Sequence, residues 1–311
     1  MLRYAARRVA AAVLVVFGVT LATFLLMHLE PGDPARAVLG IHATPTAVAA
    51  LRREWGLSST LPGQLGHFLS QLVRGDLGQS YIYGVSVSSL IGARIGETAA
   101  LVAVATAFAV IITVPLAALA ASRQNGWADH AVRAVSVVGL ALPAFWFGIV
   151  LIEVFAVHLH LVPVGGAGSG FGGHLEALVL PGLTASFAMA PILVRSLRVG
   201  MLEVMDADFI AVARAKGLGD TRVLFAHVAR NALVPTVTLL GLNIAYLIGS
   251  TVIVEQVFNL NGLGSLLLSS ILNRDFPVVQ AITLVLGTAV VFLNLATDLL
   301  AARLDPRIRL R

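Results

Sequence analysis

Apolar residues in this chain come in long runs, separated by short stretches where charge, glycine and proline concentrate. Residues 9–27 carry no charge, and at ~1.5 Å rise per residue such a run nearly crosses a ~30 Å hydrocarbon layer. Residues 98–121 are equally free of charge, with Pro115 expected to kink the helix rather than end it. Further spans are predicted from near Ala134 through Ala141–Ile149, and over residues 177–194, 233–254 and 278–300. The pattern predicts an all-α polytopic membrane protein with six transmembrane helices.

The stretch between the first two spans has a different rhythm. Glu30-Pro31-Gly32-Asp33-Pro34 breaks the first helix. Pro45 then starts a short helix with Val48, Leu51 and Trp55 on one face and Gly56 at its end, and Leu65, Phe68, Leu69 and Leu72 mark a second amphipathic helix. The expected organisation is a first transmembrane helix (1–29), a small helical extracytoplasmic insert (30–96), a core of helices two to six (97–302) and a cytoplasmic tail (303–311). Arg3, Arg7 and Arg8 precede the first run, which is longer than a signal-peptide core and lacks a small-residue cleavage pattern, so it is read as a retained helix with its N-terminus inside.

Residues 195–235 are the longest polar interruption in the C-terminal half. Arg195, Arg198, Arg214, Lys216, Arg222 and Arg230 alternate with Glu203, Asp206, Asp208 and Asp220, which excludes the stretch from hydrocarbon and predicts a projection into water. Leu202, Met205, Phe209, Val212 and Ala213 recur at spacings of three and four, as on one apolar stripe of a helix. Gly217 suits a left-handed C-terminal cap behind Arg214 and Lys216, and Asp220 is expected to cap a second helix from Thr221 to about Asn231, ended by Pro235. The result is a knuckle of two short helices over 195–232. Without further information it reads equally well as a solvated loop of mixed charge.

The residues Asp208-Phe209-Ile210, Ala213-Arg214-Ala215-Lys216-Gly217-Leu218 and Arg230-Asn231-Ala232-Leu233 with Pro235 resemble the cytoplasmic coupling loop of binding-protein-dependent ABC importer permeases, in the form found in dipeptide and oligopeptide systems. The generic loop opens Glu-Ala-Ala; here Ala211, Val212 and Ala213 stand in those places, so the resemblance rests on the peptide-permease variant. It extends along the chain through Pro31–Ala35, Trp55–Leu57, Arg74–Ser80, Ala141–Ile149, Gly262–Gly264, Asn273–Val278 and Leu304–Arg307. It implies a type I importer permease fold and an ATPase-coupling loop carried by Asp208, Ala213, Arg214, Lys216, Gly217, Asp220, Arg222, Arg230 and Asn231. It implies as partners a second related permease, two ATPase subunits or domains and an extracytoplasmic solute-binding protein, with di- or oligopeptides as cargo; nickel and glutathione systems share nearly the same pattern.

Composition agrees with a membrane setting. Hydrophobic residues make up 58% of the 311 and charged ones 12%, with a mean hydropathy of +0.91. The net charge of +5 does not point to nucleic acid, because most of the 21 cations flank spans on the side assigned to the cytoplasm of a plasma (inner) membrane protein with both termini inside. With no cysteine there is no disulfide framework and no thiolate chemistry. Lys216, the only lysine, precedes its glycine, so no phosphate-cradling G-x-x-x-x-G-K-[ST] loop exists, and ATP with its Mg is assigned to partner subunits. H-E-x-x-H and G-x-S-x-G are also missing, and Ala167-Gly168-Ser169-Gly170 is not a protease motif; no catalytic residue and no cofactor is assigned to this chain.

Glu153 within a predicted span is a candidate for the translocation pathway or for a paired structural role, and Asn243 and Glu255 are placed with it as pathway candidates. His158 and His160, two apart, point to opposite sides of a helix, and no metal site is assigned to them. An ion-coupled secondary transporter would need more embedded ionisable residues, and an intramembrane enzyme a paired nucleophile and base.

Overall fold

The computed structural model describes residues 2–29, 32–40, 43–166, 168 and 170–304, and those residues are nearly all helical. Pro31, Ala167, Ser169 and the tail from Asp305, on which parts of the motifs above fall, lie outside the described residues. In chain order the first helices are α1 (Leu2–Leu29), α2 (Pro34–Leu39), α3 (Pro45–Glu54), α4 (Leu61–Val73), α5 (Val87–Gly92) and α6 (Ile95–Ser122). Then come α7 (Trp127–Ala141), α8 (Ala144–Leu151) running on as a π-helical segment (Ile152–His158), α9 (Gly170–Ala177) and α10 (Val179–Met205). The last are α11 (Asp208–Ala215), α12 (Asp220–Arg222) with a second π-helical segment (Val223–Ala229), α13 (Arg230–Val257), α14 (Leu263–Leu272) and α15 (Phe276–Leu304). The chain divides into two compact units, one of residues 1–98 with 261–291 and one of residues 99–260 with 292–311.

In the first unit the short helices start where side chains satisfy free backbone donors. Asp33 accepts from the Ala35 N–H, Thr44 from Ala47 and Ser86 from Ser89, and α2, α3 and α4 each have proline near their first position. Val87, Ile91, Leu263, Leu266, Val278, Ala281 and Ile282 form the core of this unit. Asp275, fully buried, accepts from the Ser80 hydroxyl, from the Tyr81 N–H at 3.0 Å and from the Ile82 N–H at 3.4 Å. That carboxylate clasps the turn after Arg74–Gln79 to the start of α15. The Trp55 ring stacks on Tyr81 at 3.8 Å, and burial, followed by the nearby Asp275 carboxylate, pushes the Tyr81 phenol from 10.0 up to about 12.

The second unit is built on α10. Of its most apolar window 72% is buried, against 22–33% for the other three long apolar helices, so α10 is the central post and the others offer apolar faces outward. Leu193 and Met189 on α10 pack with Leu101, Leu178, Leu247 and Phe258. Gly182 lets α10 come close to α6, since a Cβ there would lie 2.6 Å from Val104 Cγ1. Val135, Val137, Val138 and Leu140 on α7 are all more than half exposed, a surface suited to hydrocarbon rather than water.

Four helical stretches are long and apolar enough to cross a membrane: Val87–Ser122, Gly170–Met205, Asp220–Val257 and Phe276–Ala301. A fifth is added if α7 and the α8 rod count as one span. The first helix, α1, runs from Leu2 to Leu29 and contains the whole uncharged run 9–27.

Several boundaries differ from the sequence expectation, each for a local reason. The third span is not one rod, because Trp127–Ala141 and Ala144–His158 meet at 104°. Leu142 is extended (φ −86, ψ 134) because Pro143 behind it disfavours helical backbone. The helix also begins before the predicted start near Ala134, residues 127–133 being the first turns of α7. The fourth helix does not end at residue 194 but continues to Met205, so Arg195 and Arg198 belong to its stem rather than to a projecting loop. Pro235 does not end a helix; it lies inside the continuous helical stretch Asp220–Val257, as prolines are tolerated in membrane-spanning helices.

Candidate coupling site

The knuckle begins at the turn Asp206–Ala207, which interrupts the expected continuous stripe. This break resets the helical phase. Ile210 and Ala213 turn inward, 0% and 8% exposed, while Phe209 and Val212 face out at 48% and 54%. The inward pair joins Leu197, Met201, Val223, Val228, Ala229, Ala232 and three alanines of α6 in one cluster. The knuckle is therefore seated on its own apolar floor.

Its elbow is a Schellman motif. The Gly217 N–H bonds the Arg214 carbonyl at 2.9 Å and the Leu218 N–H reaches Ala213 at 3.4 Å, while Gly217 takes φ +79, in the left-handed region. Leu218 packs onto the cluster below. Asp220 does not cap the next helix: Gly219 holds that position, and the Asp220 carboxylate, 94% exposed, lies 3.8 Å from Arg214 Nε. Such a solvated pair contributes little. Nor is the next helix a separate short rod from Thr221 to Asn231, for it passes through the π-helical segment straight into α13.

Asp208, at the first position of α11, sits where the helix dipole favours a carboxylate. With Phe209, Val212, Arg214, Lys216, Asp220, Arg222, Phe225, Arg230 and Asn231 it forms the exposed outer surface of the knuckle, and Ala213 lies beneath. Asn231 Nδ2 donates to the His227 carbonyl at 2.7 Å. The arrangement offers charge of both signs around exposed aromatic and aliphatic groups. It holds no nucleophile and base, and is suited to protein contact.

The pathway candidates do not share an environment. The Glu153 side chain is 61% exposed, with His158 Nδ1 at 3.4 Å from it. Asn243 is half-buried and donates to Leu239 O at 2.8 Å, and Glu255 is fully buried on α13. His160, with φ +52, donates its Nδ1–H to the His158 carbonyl at 3.3 Å, and among the described residues no group of three His, Asp or Glu is gathered as for a metal.

One pair escaped the sequence reading. Asp129, 0% exposed at the start of α7, accepts from Arg198 Nε at 2.6 Å and Nη2 at 2.7 Å and from the Asn125 N–H at 3.0 Å. The partners stand 69 positions apart, and no spacing in the sequence links them.

Residues 113–310 match the inner membrane component of binding-protein-dependent transport systems, and residues 1–102 match the N-terminal component of the same systems. The chain belongs to this permease family. It is a permease subunit of an ABC importer and a multi-pass inner-membrane protein. Glutathione transport system permease proteins GsiC from Pectobacterium atrosepticum and Escherichia coli strain K12 are 37% and 36% identical to it, each over 99% of both chains. The permease also resembles a chain of the MetNI methionine ABC transporter in an inward-facing conformation, with a TM-score of 0.59 at 18% identity, covering 70% of this chain and 97% of that one. At that identity the likeness concerns the fold alone, and it means that a substantial part of this chain has no counterpart there.

Proposed function

We propose that this permease forms half of a membrane pathway that imports short peptides, and that the knuckle at 206–232 is where a separate ATPase subunit docks. The observation that carries the reading is the two-sided build of the knuckle. Its inner face is locked onto α6, α10 and α13, and its outer face presents Asp208, Arg214, Lys216, Arg222 and Arg230 around Phe209, Val212 and Phe225. A protrusion seated on a packed floor can transmit force, which a solvated loop cannot.

In this reading a second related permease completes the pathway, two ATPase subunits bind ATP and Mg beneath it, and a solute-binding protein delivers cargo from outside. Six spans with both termini in the cytoplasm put α2–α5 outside. Nucleotide-driven closure of the ATPases then moves the knuckles and switches the helices between inward and outward access. Glutathione is the second reading of the cargo, favoured by the 37% identity to glutathione permeases along the whole chain. It is itself a tripeptide, so both readings call for a pathway that passes amide, ammonium and carboxylate groups.

The test is co-purification and transport. The complete complex is expected to retain its ATPase and to take up dipeptide in proteoliposomes, with glutathione as competitor deciding between cargoes. The purified permease alone is expected to hydrolyse no ATP above background. Robust hydrolysis by the isolated chain, or a complex that assembles without an ATPase, contradicts the proposal.

A further inference from the structure

The ion pair Asp129–Arg198 lies outside the outer surface of the knuckle and links two helices of the second unit. Asp129 lies on the first turn of α7; Arg198, 14% exposed, lies about two turns before α10 ends at Met205. Arg133 adds a weaker contact at 3.6 Å from the same carboxylate, and Asn125 supplies a backbone donor. On either side of Arg198 in the sequence, Leu197 and Met201 pack in the cluster that holds Ile210 and Ala213 of the knuckle. The pair therefore joins the stem of the knuckle to the leg of the broken third span.

A buried ion pair is a poor adhesive. Desolvation offsets most of the attraction, and apolar side chains of similar volume hold two helices at least as well. What the pair adds is direction, since a guanidinium fork seated on both oxygens of one carboxylate admits a single register and angle. We propose that Asp129 and Arg198 are positioning residues for coupling: they tie the α10 stem to α7, so that a displacement of the knuckle moves α7 and, through the 104° bend at Leu142–Pro143, the α8 rod that carries Glu153. The inference rests on the docking role proposed for the knuckle.

The experiment uses the complete complex, with both permeases, ATPases and solute-binding protein, in proteoliposomes. The double variant Asp129→Leu/Arg198→Met replaces the pair by apolar groups. It is expected to match the parent in thermal stability and in retention of the ATPase. Stimulation of ATP hydrolysis by the cargo-loaded binding protein, and uptake itself, are expected to fall roughly tenfold, within the ~5–150-fold range of typical coupling between sites. Arg198→Lys, which keeps the charge but not the fork, is expected to fall between parent and double variant. Parent-like stimulation and uptake in the apolar double variant overturn the proposal. If that variant is instead unstable, Arg198→Lys decides: full stability with full stimulation also overturns it, and full stability with reduced stimulation supports it. A parent complex that retains no ATPase refutes the docking role itself, a result read before any variant is compared.

Discussion

Gly217 and Gly219 flank Leu218 and read alike as helix breakers, yet the backbone separates them. Gly217 sits at φ +79, whereas Gly219 is extended at φ −63 and ψ 148. A Cβ at either position meets no atom within 4 Å, so packing does not distinguish the two and only backbone strain does. Serine placed in the left-handed region at 217 costs roughly 1–2 kcal/mol. If the chain relieves this by leaving the Schellman geometry, the population with the second helix correctly aimed falls by a factor of about 5–30. Serine at 219 meets ordinary backbone, and its hydroxyl can accept a free N–H at a helix start that now has no side-chain cap, a gain of a few tenths of a kcal/mol. The assay is titration of the purified ATPase against the permease complex, with peptide uptake measured on the same preparations. Gly217→Ser is expected to weaken ATPase binding about 5–30-fold at unchanged insertion. Gly219→Ser is expected to match the parent, and Gly217→Val to fall at or below Gly217→Ser because a β-branched residue is more strained there. Indistinguishable binding by the two serine variants would refute the reasoning.

The Asp275 clasp yields a stability prediction. Asp275→Ala leaves the Ser80 hydroxyl and the Tyr81 N–H without their acceptor, while the Ile82 N–H keeps Ser80 Oγ at 3.3 Å, and is expected to cost about 3 kcal/mol in denaturant or thermal unfolding, with Asp275→Asn intermediate because one oxygen remains. The Tyr81 phenol, held at about 12 against an ordinary 10.0, binds its proton more tightly in the folded protein, so its contribution is complete below pH 10.0 and is lost as pH rises through about 12. The fall in melting temperature across that window is expected to be steeper in the parent than in Tyr81→Phe; equal slopes count against the buried phenol. For topology, a reporter inserted after Gly170 is expected outside and one after Gly219 inside, and finding both on one side removes the six-span reading.

What could be read from the sequence is what depends on neighbours along the chain. The length of an uncharged run sets whether a helix can cross hydrocarbon, so α6, α10, α13 and α15 were legible before any coordinates. The start of α3 follows from Pro45, and the elbow at Gly217 from a glycine behind a basic helical turn. The knuckle was legible as a motif because residue order alone carries its resemblance to the permease family. Its orientation was legible only in part, since a two-residue turn at Asp206–Ala207 shifts the helical phase: Ala213 of the expected stripe is buried, but Ile210 joins it there in place of Phe209 and Val212. Proline was ambiguous for the same reason: Pro143 breaks a rod, while Pro115 and Pro235 lie inside helices whose neighbours keep them straight enough to continue. The partnerships Asp129–Arg198 and Asp275–Ser80 could come only from the tertiary structure. A charge seen in sequence carries a cost of burial but no address for its partner, and the packing of distant helices decides whether that charge ends in water, as Asp220 does, or in the interior, as Asp129 does.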